Sequence, residues 1–79
     1  MNNADKLFYE LGYEKIQDDK SWIDFKKRNI NITFNLNDKF VEATQLYGGE
    51  YLSKKIYMQE LKAINMKCED LGWLGDSNE

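Results

Sequence analysis

The sequence predicts an α+β domain of two layers, an antiparallel meander of four to five strands with an N-terminal and a C-terminal helix packed on one face. Three observations carry this. Ile30, Ile32, Phe34 and Leu36 alternate with Asn31, Thr33, Asn35 and Asn37, the period of two that marks a strand with one buried and one wet face. In the run MQELKAINMKCEDLGW, Met58 to Trp73, side chains at Tyr57, Leu61, Ile64, Cys68 and Leu71 recur at helical spacing and share one side. Ala4, Leu7, Phe8 and Leu11 do the same near the start.

The first helix is expected to begin at Asn2 or Asn3, whose side-chain oxygen suits the free amides of a first turn. Gly12 ends it, and Gly72 ends the last helix. The segments ELGY and DLGW are therefore two copies of one helix-ending device. In each, glycine takes a left-handed conformation and the aromatic after it, Tyr13 or Trp73, folds back toward Phe8 or Cys68. This is shared capping physics and not a repeat. Tyr13 to Gln17 reads as a short strand and Asp18-Asp19 as a turn.

Ser21–Lys27 and Lys39–Tyr47 flank the alternating strand, and only even hairpin loops keep the apolar side chains of all three on one face. With Arg28-Asn29 as the first loop, Phe25 faces Ile32 and Ile23 faces Phe34. With Asn37-Asp38 as the second, Phe34 faces Val41 and Ile32 faces Ala43. Gly48-Gly49 is a third two-residue turn, followed by a last strand over Tyr51–Ile56.

Composition narrows the function. A chain of 79 residues is one domain, 1–79, near the size at which one core barely suffices, with Asp76–Glu79 as a frayed tail. Hydrophobic residues at 42% and aromatics at 14% suffice for a globular core. The net charge of −3 argues against phosphate-backbone binding as the main task. Both ends are acidic and the middle, residues 20–55, is basic. Cys68 is the single cysteine and lies on the helical stripe, so no disulfide framework is expected. With no histidine, the usual zinc sites and His-based nucleophilic catalysis are absent. No apolar run is long enough to cross a membrane, and Asp5 and Lys6 interrupt the start before a signal peptide develops, so a cytoplasmic protein is expected.

The same registers define the other side of the sheet. Trp22, Asp24 and Lys26 stand beside Asn35, Thr33 and Asn31, which stand beside Phe40, Glu42 and Thr44. Two bulky aromatics among polar neighbours form an anchor of the kind interfaces use, so Trp22, Asp24, Lys26, Asn35, Phe40 and Glu42 are the candidate partner-binding residues. Trp22 packed under a loop or against a second copy in a homodimer is the structural alternative. The outer acids of the last helix, Glu60, Glu69 and Asp70, form a secondary candidate surface. Asp18-Asp19 with Asp24 reads as solvated turn chemistry and not a metal or catalytic cluster, and the glycines form no phosphate cradle, so neither metal nor cofactor is expected. Lys26, Lys27 and Arg28 at a hairpin tip, with Lys54 and Lys55, define the alternative of a nucleic-acid-binding accessory protein.

ADKLFYELGYEKI at the start and MQELKAINMKCEDLGW at the end resemble small proteins of phages and prophages of low-GC Gram-positive bacteria. The resemblance covers the two ends more than the middle, and departs from the family at Tyr57, where a threonine or serine cap is expected. No catalytic residue carries over. What the resemblance implies is a setting, since small phage proteins of this size often bind and redirect a host protein, host defence nucleases included. The expected function is therefore a non-enzymatic protein-binding module, a phage-encoded inhibitor of a host defence or nucleic-acid-processing enzyme that acts by occlusion.

Overall fold

In a computed structural model, which describes residues 2–74, the chain forms α1 (Asn3–Glu10), β1 (Glu14–Asp18), β2 (Trp22–Lys27), β3 (Ile30–Asn35), β4 (Phe40–Tyr47), β5 (Glu50–Ser53) and α2 (Met58–Asp70). The strands make one antiparallel sheet in the order β1-β2-β3-β4-β5, with the two helices packed against each other. The expected tail, Asp76–Glu79, and Gly75 lie outside the described residues.

Both helices stop in the same way. Asn2 caps α1 by accepting the Asp5 N–H at 2.8 Å. At its far end the Tyr13 N–H reaches the Phe8 carbonyl at 2.9 Å and the Gly12 N–H reaches that of Tyr9 at 3.0 Å. In α2 the Trp73 N–H reaches Cys68 at 2.9 Å and the Gly72 N–H reaches Glu69 at 3.0 Å. Both are Schellman endings, which require a left-handed residue that a side chain disfavours; φ is +96° at Gly12 and +77° at Gly72. Tyr57 supplies no side-chain cap to α2. Glu60 replaces it by accepting the Tyr57 N–H at 3.0 Å, which lets the helix start without serine or threonine.

The strand register matches the parity argument. Phe25 faces Ile32, Ile23 faces Phe34, Phe34 faces Val41 and Ile32 faces Ala43. The second hairpin opens wider than expected, with Leu36–Lys39 as its loop, because the Lys39 N–H turns back to the Asn35 carbonyl at 2.9 Å. Widening by one residue on each side preserves parity, so every side chain keeps its face. β1 is shifted to Glu14–Asp18 because the Tyr13 backbone is used by the α1 cap. β5 is shorter than Tyr51–Ile56 and ends at Ser53.

The core is aromatic at its centre. The Phe8 ring of α1 stacks on Phe25 at 4.0 Å between centroids, and Phe34 meets both edge-on at 6.2 and 6.1 Å. Ile23, Ile32, Ala63, Ile64 and Cys68 close around them, with Trp73 tilted against Phe34. The stripe read from α2 is rotated. Its buried residues are Glu60, Ala63, Ile64, Lys67 and Cys68, while Tyr57 and Leu61 are exposed.

Two charged residues thus point inward, and each is satisfied. Lys67 donates to Asp5 at 2.9 Å, and Lys15 from β1 donates to the other Asp5 oxygen at 2.8 Å. Glu60 accepts from the Tyr13 hydroxyl and from Lys54, both at 2.6 Å. Burial opposes the charge of Asp5 and of Glu60, but the hydrogen bonds and ion pairs outweigh it and hold both carboxyls below their ordinary values.

Deleting residues 56–79 removes Ala63, Ile64, Cys68 and both inward charges of α2, and is expected to abolish the cooperative melt; a sharp transition in the shortened chain would contradict this arrangement. Lys67→Met leaves Asp5 buried with Lys15 alone, so denaturant melts should show a loss on the order of 3 kcal/mol, partly recovered in an Asp5→Asn background. Because folded Asp5 and Glu60 titrate below their unfolded values, the stability they contribute is present above those unfolded values and is lost as pH falls through the folded ones. Urea midpoints should therefore be level from neutrality to about pH 5 and decline below about pH 4, with a shallower decline in Asp5→Asn.

Candidate functional site

The side of the sheet away from the helices carries the residues that sequence parity assigns to it. Trp22 of β2, Asn35 of β3 and Phe40 of β4 lie in one cross-strand row; Asp24, Thr33 and Glu42 form the next, and Lys26, Asn31 and Thr44 the third. The structure brings the two aromatics into contact. Their rings meet edge to face at 6.5 Å between centroids and 78°, with Phe40 41% exposed and Trp22 partly so. That exposure leaves apolar surface uncovered at one end of an otherwise polar face.

Asn35 requires a correction. It lies in the same row but is buried, since it sits between Trp22 and Phe40 and its side-chain oxygen accepts the Asp38 N–H at 2.8 Å. It supports the aromatic pair from below and offers a partner nothing directly. Asp24 remains partly exposed, with one oxygen bonded to Thr33 Oγ1 at 2.8 Å and Asn31 Nδ2 at 3.2 Å from both. Lys26 and Glu42 are exposed. The face is thus an aromatic pair, a hydrogen-bonded polar centre and a free charge of each sign.

The secondary acidic surface loses a member. Glu60 is not an outer acid but is buried against Tyr13 and Lys54, because position 60 is part of the inward face of the rotated α2. Glu69 and Asp70 are exposed as expected. The same network takes bases from the alternative site. Lys54 is committed to Glu60, and Lys27 donates to the Leu11 carbonyl at 3.0 Å with its ammonium 4.9 Å from the centre of the Tyr13 ring. Lys26, Arg28 and Lys55 remain exposed.

A residue assigned only to a turn proves to position the site. Asp19 accepts the backbone N–H of Ser21 at 2.8 Å and of Trp22 at 3.0 Å, and its own N–H reaches the Trp22 carbonyl at 3.0 Å. The Gln17 side chain at 2.9 Å and these two N–H groups hold its carboxyl below the ordinary value. This aspartate turn fixes the backbone at which Trp22 enters β2. The spacing from Asp19 to Trp22 is the signal available in the sequence. Asp18 bonds Lys15, so Asp18, Asp19 and Asp24 each serve a separate local partner, and among the described residues no group of three acidic or thiol side chains is arranged to hold a metal ion.

A second exposed surface lies beyond this face. Tyr47, Tyr51, Leu52, Ile56, Tyr57 and Met58 are all exposed at the end of β4, along β5 and into the start of α2. An open depression of about 360 Å³ lies there, lined by Gln45, Tyr47, Ser53, Lys54, Lys55 and Tyr57. The helices pack on the core residues of β2, β3 and β4 and leave β5 uncovered. No helix among the described residues is long and apolar enough to cross a membrane. The chain matches no protein-family model, no curated protein and no solved structure.

Proposed function

We propose that this chain is a non-enzymatic protein-binding module that uses its uncovered sheet face to occlude a working surface of its partner. The observation that carries this reading is the Trp22–Phe40 pair, a partly exposed aromatic contact held on three paired strands and supported by buried Asn35. Rigid aromatic side chains lose little conformational entropy on binding and fill pockets well, which is why they dominate interface energetics. Around them Asp24, Lys26 and Glu42 supply directional polar contacts.

The resemblance of the two ends to phage and prophage proteins supports the finer reading, a phage-encoded inhibitor of a host defence or nucleic-acid-processing enzyme in the bacterial cytoplasm. Enzymes of that kind hold nucleic acid in basic grooves. Glu42 on the open face suits such a groove by charge.

Affinity capture from a host lysate with the intact chain as bait tests this. Trp22→Ala and Phe40→Ala should each weaken retention of the captured protein by about tenfold or more, which corresponds to about 1.4 kcal/mol. The melting temperature should move only slightly, because neither ring enters the Phe8–Phe25–Phe34 core. Unchanged retention in both variants would remove the open face as the interface.

A further inference from the structure

The two edges of the sheet are built differently. At β1 the pairing shifts between Lys15 and Gln17, with Ile16 in the irregularity, and the strand ends in Asp18. A bulge and charged side chains are the devices by which an edge strand avoids pairing with another chain. β5 has no bulge, and its one charged side chain within Glu50–Ser53, Glu50, is exposed. It pairs with β4 in unbroken register, and its two central residues, Tyr51 and Leu52, are 58% and 48% exposed on opposite faces.

Backbone parity fixes which groups of β5 are free. The Gly48-Gly49 turn, with φ of +54° and +86°, closes on the pair Tyr47 and Glu50, and hydrogen-bonded pairs then alternate along the ladder. The Lys54 N–H reaches the Ala43 carbonyl at 3.1 Å, consistent with that alternation. Glu50, Leu52 and Lys54 therefore turn their amide groups toward β4. Tyr51 and Ser53 turn theirs outward.

We propose that β5 is a self-association edge, at which two copies of this chain pair β5 to β5, antiparallel, about a twofold axis at Leu52. Outward residues must meet outward residues, which leaves three compact registers. An axis at Ser53 sets Leu52 against Lys54, and an axis at Tyr51 sets Leu52 against Glu50. Only the axis at Leu52 keeps the apolar Leu52 from facing a charged residue. Leu52 meets Leu52, Tyr51 bonds Ser53 of the second copy in both directions, and Glu50 comes to the end of the edge that carries exposed Lys55, Lys54 being held by Glu60. The edge carries exposed Glu50 at one end and exposed Lys55 beyond the other, so antiparallel pairing brings opposite charges to the same end and parallel pairing would bring the exposed lysines together. Tyr47, Ile56, Tyr57 and Met58 flank this edge and supply further apolar surface. The result is a sheet of twice the width, with four helices on one side and both Trp22–Phe40 pairs on the other. It does not rest on the proposed function, but it would make that face bivalent.

Sedimentation of the full chain across roughly 1 to 500 µM should show the mass rising from monomer to dimer. Leu52→Lys, which sets like charges on the axis, should remain monomeric at every concentration while keeping the dilute wild-type melting curve. Leu52→Cys should cross-link between copies under mild oxidation, because residues facing each other in a non-hydrogen-bonded pair lie about 4.5 Å apart at Cα, within disulfide reach. Tyr51→Cys, whose own counterpart lies diagonally across the axis, should cross-link far less, and Cys68 is buried and does not compete. A wild-type chain that stays monomeric throughout would overturn the proposal. So would a dimer that survives Leu52→Lys, or equal cross-linking at positions 51 and 52.

Discussion

The structure depends on how two inward-facing charges of the closing helix are satisfied. Glu60 and Lys67 sit two turns apart on the buried face of α2, and a charge in that position is tolerated only if paired and hydrogen-bonded. Their partners are far away in sequence. Asp5 belongs to α1, Tyr13 to its cap, and Lys54 to the segment after β5. In the docked helix both ends of its polar stripe find those groups. Hydrophobic contact among Ala63, Ile64, Cys68 and the phenylalanines supplies the drive. The ion pairs set Glu60 opposite Tyr13 and Lys54, and Lys67 opposite Asp5.

That constraint explains what sequence reasoning recovered and what it missed. Strand register followed from parity, because the period of two leaves each side chain only two faces and Ile32 and Phe34 tie both hairpins to the same one. Loop length was less legible, since Leu36–Lys39 and Asn37-Asp38 give identical pairing and differ only in whether the Lys39 amide turns back to Asn35. The rotation of α2 was not legible from hydropathy. Tyr57 and Leu61 are more apolar than Glu60 and Lys67, yet the latter are buried, and the reason lies in partners 47 and 62 residues away.

The candidate site was readable to the same depth. Parity placed Trp22 and Phe40 in one row across Asn35, and the rings do meet. It did not reveal that this contact buries Asn35, because burial on the wet face arises from side chains leaning over a neighbour. Nor did it identify Asp19, whose role lies in bonds to the backbone of Ser21 and Trp22. The exposed edge at β5 was obscured for a different reason. Leu52 falls on the helix-facing side by parity and looks like an ordinary core-strand residue until the placement of the helices shows that neither covers it.

The division between layers has a consequence for how this small chain can change. Its stability resides in one aromatic cluster and two buried ionic networks, all between the helices and the inner face of the sheet. Trp22, Phe40, Glu42, Tyr51 and Leu52 lie outside those elements, so substitutions there perturb few of the interactions that hold the fold. A domain of this size has little stability to lose. Residues on the uncovered face and edge can vary without reaching the core, whereas replacing Glu60 or Lys67 on the helical side would leave a buried charge unpaired. For that reason the outer face of the sheet, and not the inward side of the closing helix, is where the chain tolerates change at least cost to the fold.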